Sequence, residues 1–225
     1  MKVIYWSDYA CPFCYIGEEI LKRAFRELGT DEKLELVMKS FELDPEASRK
    51  VTSSTPERFA KKYGMTLSQA QSRINAISEM GHSAGIDFNY ASTRYTNTLD
   101  AHRLTKLAQD KYNLETAEKL SNKLYAAYFT ENLELANPDV LTKAGLEAGL
   151  KADDIEAVLS SNIYEHEVRE DENEAYSRGI HAVPFFVIGE KYNIPGALPL
   201  EDMKEVLRKG LKVQAMSCGP EGCSL

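Results

Sequence analysis

The sequence is poor in the features that mark several large protein classes. No apolar run approaches the ~18–20 residues of a membrane-spanning helix. Positive charge is in deficit, with 27 Lys and Arg against 35 Asp and Glu for a formal charge of −8. Nucleic acids and anionic membranes demand clustered cations, so neither is expected as a main partner. Four cysteines in 225 residues are too few for a disulfide scaffold, and a chain of this length buries a core that needs no staples. The opening Met1-Lys2-Val3-Ile4-Tyr5-Trp6 turns polar at Ser7-Asp8 and lacks the apolar stretch of a secretory leader. The expected compartment is therefore the cytoplasm.

The cysteines that are present are unevenly placed. Cys11 and Cys14 stand at one end, Cys218 and Cys223 at the other, with none between. In a reducing compartment, paired cysteines more often signal redox chemistry or metal than structure.

Residues 2–6 and 34–41 read as strands, and between them Ile16, Ile20, Leu21, Ala24, Phe25 and Leu28 fall at helical spacing, with Gly29 as a stop. A connection of that length suits a crossover between parallel strands. From Pro56 to Gly179 almost only helices are predicted, over 56–63, 66–80, 97–112, 114–130, 138–148, 151–160 and 164–178. Thr55-Pro56 and Asn137-Pro138 place proline at first helical positions. Residues 81–96 read as a polar linker, and the acidic run 165–174 as a solvated helix face. Strand chemistry returns at 185–188 and 191–194 around a glycine-containing turn, followed by an amphipathic helix over 200–211. Each α/β piece is too small to cover a sheet alone, so the two should combine. The expected class is α/β, a thioredoxin-like fold with a large all-helical insertion: 1–44 with 165–211, 45–164, and a tail at 212–225.

Cys11-Pro12-Phe13-Cys14 lies just after a predicted strand and opens a predicted helix. Cysteines at i and i+3 there can be bridged with little backbone movement. The N-terminal one meets unsatisfied N–H groups and the positive end of the helix dipole, which stabilise a thiolate. Proline suits the first turn because its missing N–H costs nothing. Cys14, one turn in, should be more shielded and act as the resolving thiol. The chemistry this predicts is thiol–disulfide exchange; a buried inert pair or half of a zinc site is the blander reading. Phe13 and Trp6 are expected to pack or shape the rim. Val183-Pro184 precedes a strand, where proline is ordinarily trans and edge-marking. Cys218-Gly219-Pro220-Glu221-Gly222-Cys223 can fold back to pair its ends, as an accessory dithiol, a metal catch or a tail with incidental thiols. His102 is a packed or exposed helix residue before it is a catalytic one. His181 is read as simply preceding the strand, His166 as lying on the acidic face, and His82 in the linker.

The stretch Ser7-Asp8-Tyr9-Ala10-Cys11-Pro12-Phe13-Cys14-Tyr15-Ile16-Gly17-Glu18, together with Ala182-Val183-Pro184-Phe185-Phe186, resembles the DsbA family of thioredoxin-fold oxidoreductases. Asn97-Thr98-Leu99-Asp100-Ala101-His102-Arg103-Leu104 is similar to the FrnE-like branch, as is the terminal C-x4-C. The resemblance implies a cis Val183–Pro184 peptide facing the cysteines, with the Val183 backbone pairing with an extended substrate; Phe13, between the cysteines, is taken with Val183 and Pro184 as a candidate substrate-binding residue. It implies thiol- or disulfide-bearing proteins or peptides as partners and no cofactor beyond the cysteines. Glutathione stays open as a substrate and a homodimer as the assembly. The superfamily also holds kappa-class glutathione transferases and 2-hydroxychromene-2-carboxylate isomerases, which typically carry serine where Cys11 stands. The alternatives are therefore a glutathione-dependent isomerase or transferase, or a non-enzymatic holdase or metal-binding module.

Overall fold

The computed structural model describes residues 1–189 and 191–217. Strand β1 (Lys2–Ser7) leads into helix α1 (Pro12–Glu27), which ends before Gly29 in a left-handed conformation, and β2 (Glu35–Ser40) follows. Helices α2 (Thr55–Tyr63), α3 (Leu67–Ser83), α4 (Leu99–Lys111), α5 (Leu114–Phe129), α6 (Pro138–Ala148) and α7 (Ala152–Leu159) come next. Helix α8 (Glu165–Ser177) returns the chain to the sheet as β3 (Phe185–Ile188) and β4 (Tyr192–Pro195), and α9 (Leu200–Ser217) closes it. The last helix continues to Ser217 rather than stopping at Leu211, because the 212–217 segment contains no breaker.

The sheet order is β2-β1-β3-β4, with β1 and β2 parallel and the other pairs antiparallel. Period-two alternation sends the two sets of side chains to different cores. Val3, Tyr5, Phe186 and Ile188 join the large core shared with α1, α9 and the helical segments. Trp6 and Val187 join a small one with Phe41, Ala175 and Ile180 on the opposite face. Local signals fix the helix starts: Ser54 with Glu57 and Thr66 with Gln69 form reciprocal capping boxes at α2 and α3, worth about 1 kcal/mol per cap.

Two sequence expectations need correction. Residues 81–96 are not a polar linker. Helix α3 runs through Ser83, so His82 sits in its last turn, and a 3-10 turn forms at Tyr90–Ser92. Ile86, Phe88 and Tyr90 are buried. Their alternation with polar residues carries no helical period, yet Phe88 stacks on Phe129 with ring centroids 4.7 Å apart. Gly81 makes room for it, since a Cβ there would lie 2.4 Å from Phe88 Cγ. Nor is the acidic run 165–174 wholly solvated. Asp171 and Glu172 are buried, accepting from Ser40 N at 2.8 Å and Glu42 N at 3.0 Å. Lys106 and Lys39 pair with Asp171, and Arg169 with Glu172. These acids dock α8 against the edge of the sheet at β2; His166 does lie exposed on the outer side.

Candidate active site

Strand β1 stops at Ser7, and the chain turns so that Cys11 N donates to Asp8 O at 3.0 Å. Cys11 is thereby the N-cap of α1, in extended backbone conformation (φ −90°, ψ 116°), with proline in the first turn. No side chain caps this end; Pro12 has no N–H to leave unpaired, and Cys14 N donates to Cys11 O at 3.2 Å. Cys11 Sγ donates to Val183 O at 3.7 Å. The Val183–Pro184 peptide is cis, and Gly196 N holds it from behind through Pro184 O at 2.8 Å. A Cβ on Gly17 would lie 3.3 Å from Pro184 Cγ, Phe186 Cζ and Ala197 Cβ alike, so glycine lets the proline loop approach α1. Val183 N donates to nothing among the described residues.

Cys14 lies a turn behind, fully buried, and both cysteines are free thiols. Burial pushes its thiol well above the ordinary range, and the hydrogen bond and charge of Cys11 push it further, against smaller pulls from the Ser7 hydroxyl and Asp8 backbone. Both thiols belong to the large core, and the pair is asymmetric in that Cys11, 3% exposed, lines a cleft that Cys14, wholly buried, does not reach.

Asp8 is the residue to which sequence reasoning gave no role of its own, naming it only where the opening turns polar and within the stretch that carries the family resemblance. It is buried and accepts from Ala10 N at 3.1 Å, Leu43 N at 2.8 Å and Thr98 Oγ1 at 3.0 Å. His102 Nε2, also buried, stands 3.6 Å from the same carboxylate. One side chain therefore ties the turn before Cys11 to the chain after β2 and to α4. Burial alone would raise its carboxyl; His102 and the backbone donors outweigh that and hold it lowered. Its stabilisation is accordingly complete above the ordinary carboxyl value of about 3.9 and is lost as pH falls through the lowered folded value. Asp8→Asn places an NH2 against one of these donors. Equilibrium denaturation at pH 7 should show a loss of about 1.5–3 kcal/mol, shrinking as both proteins are measured at more acidic pH. An equal deficit at every pH would contradict this account.

The cleft has a volume of about 730 Å³. Cys11, Pro12, Phe13 and Val183 form one side, and α2, α3 and the Tyr90–Tyr95 segment the other. Phe13, 38% exposed, reaches into it as the rim residue expected. Trp6 instead packs entirely in the small core, donating from its indole to Asp171 O at 2.9 Å. His102 is packed against Tyr9, and His181 is exposed. Among the described residues no cluster of three or more His, Cys, Asp or Glu is arranged to hold a metal. Cys218 and Cys223 lie outside the described residues.

A cysteine at a helix N-cap, its partner one turn inside and a cis-proline loop opposite meet the resemblance on its own terms. The family model of the DSBA-like thioredoxin domain matches residues 2–208. The chain belongs to that family. YwbO, an uncharacterized protein of Bacillus subtilis, is 28% identical over 197 residues, covering 85% of this chain and 88% of its own. The crystal structure of a probable DsbA oxidoreductase, SCO1869 from Streptomyces coelicolor, superposes with a TM-score of 0.87 at 31% identity, over 100% of this chain and 99% of that one. A 2-hydroxychromene-2-carboxylate isomerase shares the fold at 15% identity and a TM-score of 0.67, over 97% of this chain and all of its own. The DsbA-like thioredoxin fold carrying a large helical segment is thus the architecture of this oxidoreductase family member, and no described helix is long and apolar enough to cross a membrane.

Proposed function

We propose that the chain is a dithiol–disulfide oxidoreductase acting on protein or peptide substrates through Cys11 and Cys14. The observation that carries the reading is the asymmetry of the pair: one sulfur at the cleft and the N-cap, the other buried and held protonated. Cys11 thiolate attacks a substrate disulfide, forming a Cys11–substrate S–S bond while the second substrate sulfur leaves and takes up a proton. Cys14 loses its proton and attacks Cys11 Sγ. The mixed disulfide breaks, the substrate departs as a dithiol, and two electrons have passed from the enzyme pair, now Cys11–Cys14 disulfide, to the substrate. Oxidation of a substrate dithiol runs these steps in reverse.

The electrons reside on sulfur, so the reaction needs no further cofactor, and glutathione enters only as one thiol substrate among others. The unpartnered Val183 N beside Cys11 is suited to pair with an extended substrate backbone. The test is single-turnover reduction of insulin disulfides by the prereduced protein. Wild type should oxidise stoichiometrically at Cys11 and Cys14, and Cys11→Ser should lose the rate by about a thousandfold or more. A Cys11→Ser protein that still exchanges at the wild-type rate would sink the reading.

A further inference from the structure

The cleft beside Cys11 is charged in the sense opposite to the protein as a whole. Against a formal charge of −8, its lining includes Arg58, Lys62 and Arg73 and no acidic residue. Among the described residues none of these three cations is within ion-pair distance of a carboxylate, whereas Arg23, Arg94 and Arg178 elsewhere are each paired.

Arg58 is the innermost. Its guanidinium lies over the ring of Tyr95 at 3.9 Å, and its Nε is buried without a hydrogen-bond partner. Its charge and a side-chain hydrogen bond also pull down on the phenol of Tyr128, which burial pushes up to about 12, so it is the Nε edge of the guanidinium that lacks a partner. A buried N–H left unpaired costs about 1–3 kcal/mol, and the planar fork of a guanidinium matches a carboxylate bidentately. Such a group is stacked in place, short of an acceptor at Nε, and lines the cleft beside Cys11.

We infer that the cleft selects disulfide-bearing peptide segments with a carboxylate flanking the reactive cysteine, Arg58 taking the carboxylate and Lys62 and Arg73 attracting it at the rim. The inference rests on the dithiol reading and names its substrate class. Neutral aromatic and aliphatic side chains of the segment would lie on the apolar lining, including Phe13 and Ile77.

The test uses the reduced full-length protein and three synthetic peptides. Each carries one cysteine as its mixed disulfide with 2-mercaptoethanol, and they differ only in having Glu, Gln or Lys at the two flanking positions. Exchange releases peptide thiol and 2-mercaptoethanol and leaves the Cys11–Cys14 disulfide, so the two-electron balance is internal. At low ionic strength the Glu peptide should react about tenfold or more faster than the Gln peptide, with the Lys peptide slowest. Attraction governed by net charge alone would give the reverse order. The gap should narrow at ~1 M salt, where the Debye length is about 3 Å.

Arg58→Gln should bring the Glu-to-Gln rate ratio down toward one. The double variant Lys62→Gln/Arg73→Gln, at exposed positions, should lower it at least about threefold. Equal rates for all three peptides, a Lys peptide that reacts fastest, or a ratio untouched by both variants would overturn the charge selection while leaving thiol exchange standing. No exchange with any peptide would bring down the dithiol reading and this inference together.

Discussion

Cys14→Ser should stop the reaction halfway. The variant keeps Cys11 at the N-cap and on the cleft, so attack on a substrate disulfide proceeds and the Cys11–substrate bond forms. Position 14 can then no longer resolve it, because a serine hydroxyl does not displace a sulfur from a disulfide at neutral pH. Protein treated with excess disulfide substrate should run as an adduct on non-reducing electrophoresis and collapse to the free chain with dithiothreitol. Turnover should fall by about a thousandfold.

The wild-type protein adds a pH signature. Burial and the neighbouring Cys11 raise the Cys14 thiol, so the fraction of Cys14 present as thiolate grows with pH well past neutrality. Resolution of the mixed disulfide should therefore keep accelerating as pH rises well past neutrality. Adduct accumulation in Cys11→Ser rather than Cys14→Ser would reverse the two roles.

Lys22→Met should be the most destabilising single change near the site. Lys22 is 7% exposed and Glu18 fully buried, with Nζ 2.7 Å from Glu18 Oε1. The same ammonium reaches Glu19 at 3.1 Å, Glu118 at 3.7 Å and Asn122 Oδ1 at 2.6 Å. Tyr5 OH donates to the other Glu18 oxygen at 2.9 Å. Burial would lower the ammonium, but the carboxylates, Glu18 first, more than reverse that and raise it. The pair thus fastens α1 to both β1 and α5 directly below the cysteines.

Removing the cation strands the buried Glu18 charge at a cost of about 3–5 kcal/mol, a large part of the ~5–15 kcal/mol that folds a typical domain. Urea denaturation reads it as a lower midpoint. Because the stranded charge and not the lost methylenes carries the cost, Lys22→Met/Glu18→Gln should recover a substantial part. A double variant no better than the single one would show that packing, not charge, is responsible. The raised Lys22 value also fixes the sign of the pH dependence. Its contribution is whole below the ordinary lysine value of about 10.4 and is lost as pH rises through the folded value.

The parts legible in sequence are those with local causes. The helices of the middle segment start and stop close to where capping residues, first-turn prolines and apolar spacing place them, as at Pro138–Ala148. The cysteine pair was equally plain, because i, i+3 placement after a strand and at a helix start is a local pattern. The buried stretch around Ile86, Phe88 and Tyr90 was not, because its partners lie in α1, α3 and α5 and its alternation meets no neighbouring strand. Asp171 and Glu172 misled for a related reason. A run of like charges is solvated unless a distant segment brings donors to it, as β2 and α4 do here.

By itself, then, the sequence determined the element order and the two thiols, since propensity, capping and helix-start placement act over a few residues. Only the tertiary structure decided what surrounds those thiols. It brought Val183 and Pro184 against Cys11 across more than half the chain, seated Asp8 among donors from three segments, and gathered Arg58, Lys62 and Arg73 into a cleft with no acid. Hydrogen bonds, ion pairs and burial depend on distance in space, and a charge's partner, or its want of one, exists only once the chain has folded.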